Sequence, residues 1–517
     1  MKQTFNILVV LLLCLPTFIS AQNNEPVKTQ KEECGTDFTP AMEARLLQNI
    51  ETAKRLNLSA GSRTTTYIKV KFHLLANDNG TGRVSKGKAF NAICALNQNY
   101  ADQDIVFYIA GIYDWNNSIV NSHSNVQAAQ FQMSIRKNQN NDAINVFVCS
   151  SVNTNSGTGG ITLGYYSPQY DILVLRSNQV NSTSTTFTHE AGHFLSLPHP
   201  FNGWEGVDYA ANYSAANPPP ASVGGNLVEL ADGSNCATSG DYFCDTEPDY
   251  NLGWYGGNNC TYSDGAVDPT GAVIDPDETL YMSYFDDNCQ NKFSGEQKAA
   301  IAGDLASFGR NYIKGTPVST TVLASAASLT APGNNTTTQY FDEVYLNWDD
   351  VPGATQYYIE INRSSQFSSQ LMVNELLVTN SDLVLSDLTA GTKYYWRVKA
   401  FNEVSSCNSF SSVRSFTTSS FPVSTNQLLS TTAISLRPNV TAEGQVVSLN
   451  IQTEEKIDAT IRIVNVNGQV MKNIENVTFQ AGTHIHEIET AGLAPGVYIV
   501  NMQTANGQIN ERLMITN

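Results

Sequence analysis

The stretch His189-Glu-Ala-Gly-His-Phe-Leu-Ser-Leu-Pro-His199 decides how this chain is read. It sets three imidazoles and one carboxylate at fixed offsets. A helix starting near Ser184 puts His189 and His193 one turn apart on one face, where both rings can reach a single cation. Pro198 and Pro200 cannot continue a helix interior, so the chain turns after Leu195, and that turn swings His199 back beneath the ion. Three protein ligands and one open position describe a catalytic zinc, because structural zinc is closed by four ligands. Glu190 flanks the metal without ligating it. It can take a proton from a zinc-bound water whose pKa has dropped to about 7. The expected chemistry is zinc-dependent hydrolysis of peptide bonds in proteins or peptides, with Glu190 as general base. Of the remaining histidines, His73 falls on the polar side of an alternating strand, and His123, His484 and His486 have no metal-spaced partner. These four are read as solvated or structural.

At 517 residues and 41% apolar composition, the chain has room for about three domains, each with its own core. Lys2, the apolar run Ile7 to Ile19 and Ser20-Ala21 read as a secretory signal peptide over 1–21. No later segment approaches the twenty or so apolar residues of a transmembrane helix. The expected location is extracellular, in the medium or retained at the cell surface. A net charge of -18 excludes the clustered cations that a nucleic-acid partner requires. The Asp-rich span from Asp232 to Asp287 would suit calcium, a hard cation that prefers oxygen ligands. Export permits disulfides, and Cys236, Cys244, Cys260 and Cys289 cluster after the zinc motif with three pairings open. Cys94 and Cys149 are read as buried thiols.

Residues 22–63 are polar, end in the loop-like run Leu58 to Arg63, and read as a propeptide. Tyr67 to Leu74 alternates as a strand. A helix with Phe90, Ile93, Leu96 and Tyr100 on one face follows, then strands at Ile105 to Ile109, Ile144 to Cys149 and Tyr170 to Leu175. Past His199 the chain is loop-rich, and a last helix around Ser294 to Phe308 closes a domain spanning 64–315. After a linker at 316–332, short strands carrying Trp348 and the Leu388 to Tyr394 corner resemble a fibronectin type III domain over 333–418. A second linker, 419–434, leads to a small all-β module at 435–517. Its segments Ile461 to Gly468 and Leu493-Ala-Pro-Gly496-Val-Tyr498 resemble the sorting domains read by type IX secretion machinery, which that resemblance makes a partner.

A Glu as third metal ligand would need a second helix, whereas Glu205 sits in Gly203-Trp-Glu-Gly206, which does not look helical. His199 stands at the metzincin distance, and Leu280-Tyr-Met282-Ser-Tyr284 supplies the methionine turn of that clan. With Gly240-Asp241-Tyr-Phe-Cys244-Asp245-Thr246, these segments resemble the pappalysin family over about residues 64–312. The fold class expected is an α+β metzincin-like catalytic domain, a twisted sheet with helices and a loop-rich lower half, followed by two all-β sandwich-type modules.

The resemblance implies several roles. Tyr284 would stabilise the tetrahedral oxyanion, Asp241 and Thr246 would contribute oxygens to a calcium ion, and Asp287 would line an S1′ pocket as a buried carboxylate that pairs with arginine. Cys34, in Glu33-Cys34-Gly-Thr36, would occupy the open zinc position until the propeptide is cut near Arg63. One departure is visible: Ser196 stands where the family has Gly, in a turn suited to positive φ. A competing function is a surface-binding protein with an inactive protease domain. Glu190 argues against it, because a purely structural zinc site has no use for a water-activating carboxylate.

Overall fold

A computed structural model describes residues 32–58, 64–139, 141–153, 161–256, 260–420, 432–466, 468–504 and 507–516. The signal segment 1–21, Arg63 and most of the second linker lie outside them. The chain divides into two compact units, Met1–Val84 with Ala95–Ile105 and Gly111–Lys314, and Ser85–Cys94 with Val106–Ala110 and Gly315–Asn517.

The first unit is built on a six-stranded sheet. Its strands are β1 (Glu32–Cys34), β2 (Thr66–Ala76), β3 (Ile105–Asn116), β4 (Ile144–Cys149), β5 (Ile161–Ser167) and β6 (Ile172–Arg176), in the order β1-β5-β6-β4-β2-β3. All of β4 and most of β2 are buried, as expected of parallel strands covered on both faces. His73 is therefore interior, which selects the structural of the two readings left open for it. It stacks 4.4 Å from Phe147 and bonds Asn145 at 2.9 Å. Strand β5 runs antiparallel to β6, and its other edge is taken by β1 in parallel.

Helix α1 (Pro40–Leu56) lies inside the segment read as a propeptide, yet it is packed into this unit. Its signals are strong: Thr39 caps the first turn, Pro40 opens it, Lys54 and Arg55 end it, and Asn57 follows in the left-handed region. Met42, Leu46, Asn49 and Ala53 form its buried stripe. Further on come α2 (Lys86–Asn99), α3 (Ser118–Ser122), α4 (Val126–Asn138), the zinc-motif helix α5 (Thr186–Phe194), and the short α6 (Tyr209–Asn212) and α7 (Leu252–Gly256). Helix α8 (Gly295–Ala306) begins with a capping box of Ser294 and Gln297 and packs against α1. Between α5 and α8 the chain is mostly loop, organised around stacked Trp204 and Tyr250 and tied by disulfides Cys236–Cys244 and Cys260–Cys289. Those bonds select one of the three open pairings.

The second unit holds two sandwiches. Strands β7 (Leu329–Ala331), β9 (Val344–Trp348) and β12 (Asp382–Leu385) form one sheet of the first. Its other sheet is β8 (Thr336–Thr337), β10 (Gln356–Asn362), β11 (Met372–Val378), β13 (Lys393–Phe401) and β14 (Arg414–Thr417). Trp348, Trp396 and Tyr394 fill the core, and the Tyr394 hydroxyl accepts from Thr389 N–H at 2.9 Å, making the expected corner. Cys94 is not a buried thiol: it is bonded to Cys407, a partner 313 residues away. Cys149 is a free, buried thiol as expected. The second sandwich pairs a three-stranded sheet within 432–489 with a five-stranded one that ends at Thr516.

Candidate active site

Helix α5 is buried along its whole length, which is unusual for nine residues containing two His and one Glu. The imidazoles of His189, His193 and His199 converge, with their Nε2 atoms 3.1–3.2 Å apart. Outward, His189 Nδ1 lies 2.7 Å from the Tyr281 carbonyl and His193 Nδ1 lies 2.8 Å from the Leu197 carbonyl. His199 Nδ1 lies 3.5 Å from Glu205. Donating Nδ1–H outward leaves each Nε2 lone pair facing the common centre. Three lone pairs facing one another repel unless a cation joins them. Tetrahedral zinc at its usual bond length needs about 3.3 Å between ligand nitrogens, so the donor set fits zinc. Burial lowers His189 to about 4 and holds His193 and His199 well below the ordinary imidazole value, keeping all three in the neutral form that ligates.

The third ligand depends on how α5 ends. Ser196 N–H bonds the His193 carbonyl at 3.0 Å and Leu197 N–H bonds the Gly192 carbonyl at 2.9 Å, the bond pair of a Schellman cap. The residue at its apex must be left-handed, and Ser196 has φ 80°. The positive φ read from the sequence is present, and a side chain there costs about 1 kcal/mol. The Ser196 hydroxyl accepts from Asn49 Nδ2 at 2.8 Å. The Phe194 carbonyl, otherwise orphaned at the helix end, accepts from Arg45 at 2.8 Å and from Arg310. Both guanidiniums also hold Asp304.

Beneath the helix lies Met282, fully buried, so close that a Cβ on Gly192 would overlap its sulfur. This is why the second motif position after Glu190 is Gly. Tyr284 stands beside the metal ligands, its ring centroid 4.9 Å from that of His199.

The segment Cys34-Gly-Thr36 also reaches the site. Cys34 Sγ joins the three imidazole nitrogens in a group whose ligand atoms all lie within 4.8 Å of one another. Cys34 N–H donates to the Tyr284 hydroxyl at 3.1 Å, and that hydroxyl donates to the Cys34 carbonyl at 3.1 Å. Gly35 N–H bonds the Gly164 carbonyl of β5 at 2.8 Å. The Thr36 hydroxyl accepts from Tyr166 N–H at 2.8 Å and donates to Glu190 Oε2 at 3.0 Å. Glu190 is fully buried, and its Oε1 has no hydrogen-bond partner among the described residues. Burial pushes the Glu190 carboxyl up to about 8, against the lowering effect of polar groups on Cys34, Thr36 and Tyr166. Desolvation and the Glu190 carboxylate push the Cys34 thiol up. A dication among the imidazoles favours the charged form of both groups.

Residues 88–200 match the metallo-peptidase family M12B, Reprolysin-like. The zinc-motif domain is a metallopeptidase domain. An "Extracellular metalloprotease" of Colletotrichum graminicola is 25% identical over 300 residues, covering 54% of this chain and 93% of that protein. Another, of Verticillium alfalfae, is 26% identical over 276 residues, covering 50% and 80%. Residues 445–516 match a secretion system C-terminal sorting domain, and the metallopeptidase is accordingly a secreted protein. The fn3 domain of human contactin 1 is a structural neighbour at 20% identity, covering 22% of this chain and 93% of that one. Its TM-score of 0.16 is too low to bear on the fold, which rests on the strand order given above.

Other residues expected at the metallopeptidase site stand as follows. Asp287 is exposed, not buried, because its carboxylate is drawn to the start of α5, where it accepts from Thr185 N–H at 3.2 Å and Thr185 Oγ1 at 2.6 Å. Asp241 is fully buried and accepts from Thr246 Oγ1 at 3.0 Å and Phe243 N–H at 3.1 Å. Burial raises Asp241 to about 8, and burial together with Asp241 raises the neighbouring Glu229 to about 9. Among the described residues no helix is long and apolar enough to cross a membrane. Sequence reasoning missed Thr36, Asn49, Arg45 and Arg310. The helical stripe Met42, Leu46, Asn49, Ala53 behind the Thr39-Pro40 cap was the available signal for Asn49.

Proposed function

We propose that the chain is a latent, secreted zinc endopeptidase of pappalysin-like type that cleaves protein substrates with Glu190 as general base. The observation that carries the reading is the meeting of three Nε2 lone pairs beside a buried carboxylate oxygen that has no hydrogen-bond partner among the described residues. When bound, zinc supplies Lewis-acid chemistry that acidifies a water and polarises a carbonyl. Glu190 Oε1 is the group free to take the water proton and pass it to the leaving amine. The Tyr284 hydroxyl is the donor for the oxyanion, once the Cys34 backbone no longer occupies it. The edge of β5 offers backbone pairing for a substrate strand in place of β1.

The reprolysin-like match over residues 88–200 supports the metallopeptidase reading. The pappalysin-like assignment rests on Cys34-Gly-Thr36, Met282, Tyr284 and the Gly240 to Thr246 segment. Latency follows from chemistry: a thiolate is a strong zinc ligand, and Thr36 engages the base, so one short segment blocks both water and proton acceptor. Asp241 and Thr246 are proposed to hold calcium with Glu229 beside them, since a hard dication would keep both buried carboxylates charged. Asp287 is proposed to favour arginine on the carboxyl side of the scissile bond, reading the guanidinium from an exposed rim. The sorting domain is proposed to hand the chain to type IX secretion machinery. A labelled-peptide digest by the mature enzyme, with and without chelator, tests the chemistry. The same digest of a peptide library by Asp287→Ala tests the preference, which must weaken.

A further inference from the structure

The turn between His193 and His199 carries more of the zinc site than its own ligand. Ser196 at φ 80° sets the direction in which the chain returns to His199, and it places the Leu197 carbonyl that holds His193 Nδ1 at 2.8 Å. Two of the three imidazoles are thus oriented by one backbone conformation that L-residues disfavour. The Ser196 side chain is fully buried, and its hydroxyl accepts from Asn49. Asn49 is itself buried and fixed by a second bond, 2.9 Å to Oδ1 of Asp304, whose carboxylate Arg45 holds at Oδ1 and Arg310 at Oδ2. Glycine would need no such support.

We propose that Asn49 is a positioning residue for the metal. By holding the Ser196 hydroxyl it fixes the left-handed turn, and through it the His193 and His199 rings. Helix α1, on the leader side of any cut near Arg63, then belongs to the working enzyme, and the latency segment is only the chain before it. The inference rests on the zinc-peptidase reading, and its test separates the two.

The experiment measures zinc affinity of the full chain by competition with a chromogenic chelator. All variants carry Cys34→Ala, which removes the fourth donor. Asn49→Ala is expected to weaken zinc about tenfold, the usual effect of losing a residue that orients a ligand. Ser196→Ala, which leaves α1 untouched, should do the same, and Asn49→Ala should add little to it. On a Ser196→Gly background, Asn49→Ala should change affinity by less than about threefold, because glycine adopts the turn unaided. Equal loss from Asn49→Ala on the Ser and Gly backgrounds would overturn the proposal, making Asn49 a general packing residue. So would wild-type affinity in Asn49→Ala or Ser196→Ala. A parent chain that binds no zinc at all would instead sink the zinc-peptidase reading itself.

Discussion

The Thr36 hydroxyl sits 3.0 Å from Glu190 Oε2, so the carboxylate proposed as base and the segment proposed to block it are joined by a hydrogen bond 154 residues apart in sequence. Cys34 stands two residues earlier, with its sulfur among the zinc-site nitrogens. A single strand end therefore meets the three imidazoles, the proposed base Glu190 and the proposed oxyanion donor Tyr284 together.

Cys34→Ala should give a precursor that cleaves peptides without processing, at least roughly tenfold faster than the wild-type precursor, a barrier change of ~1.4 kcal/mol or more. Initial rates on a quenched peptide, with intact precursor confirmed by mass, check this. A variant that stays as latent as wild type rejects the thiol plug.

Leu46→Ala should lower the unfolding midpoint of the active, processed enzyme as well as that of the precursor. Leu46 is fully buried on α1, and truncating such a leucine costs about 2–5 kcal/mol. Calorimetry of the processed form, together with mass analysis for residues 40–56, decides the matter. An active form without α1, indifferent to this substitution, would place the helix with the discarded leader.

Stability should fall on acidification below about pH 6.5, ahead of the range in which ordinary carboxylates titrate. Burial lowers His73 and His123 to about 4 from an ordinary value near 6.5. In that window the unfolded chain binds more protons than the folded one. The contribution is thus complete above about pH 6.5 and is lost as pH falls toward 4, on the order of 3 kcal/mol per histidine. His123→Gln should flatten the dependence of the melting midpoint between pH 7 and 4.5; a slope equal to wild type would exclude His123 as a contributor.

The catalytic centre was largely legible because its chemistry is local. Histidines at fixed offsets, two prolines and a disfavoured Ser196 conformation are written within the twelve residues His189 to Pro200, and β4 begins and ends where the sequence pattern does, at Ile144 and Cys149. What failed to show was settled over long separations. Cys94 finds Cys407 across 313 residues, and no local pattern announces it. Asp287 was expected inside a pocket, but the hydrogen bonds offered by Thr185 at the head of α5 hold it at the surface. Helix α1 was readable yet passed as polar leader, since its exposed face is charged and its buried stripe has one residue per turn.

The most direct test of the central claim is to measure bound zinc and peptide cleavage together in processed wild type and Glu190→Gln. The account predicts about one zinc per chain in both, with cleavage lowered 10²–10⁴-fold in the variant and abolished by chelator in wild type. Cleavage by Glu190→Gln at the wild-type rate, or wild-type activity that survives removal of the metal, would contradict it.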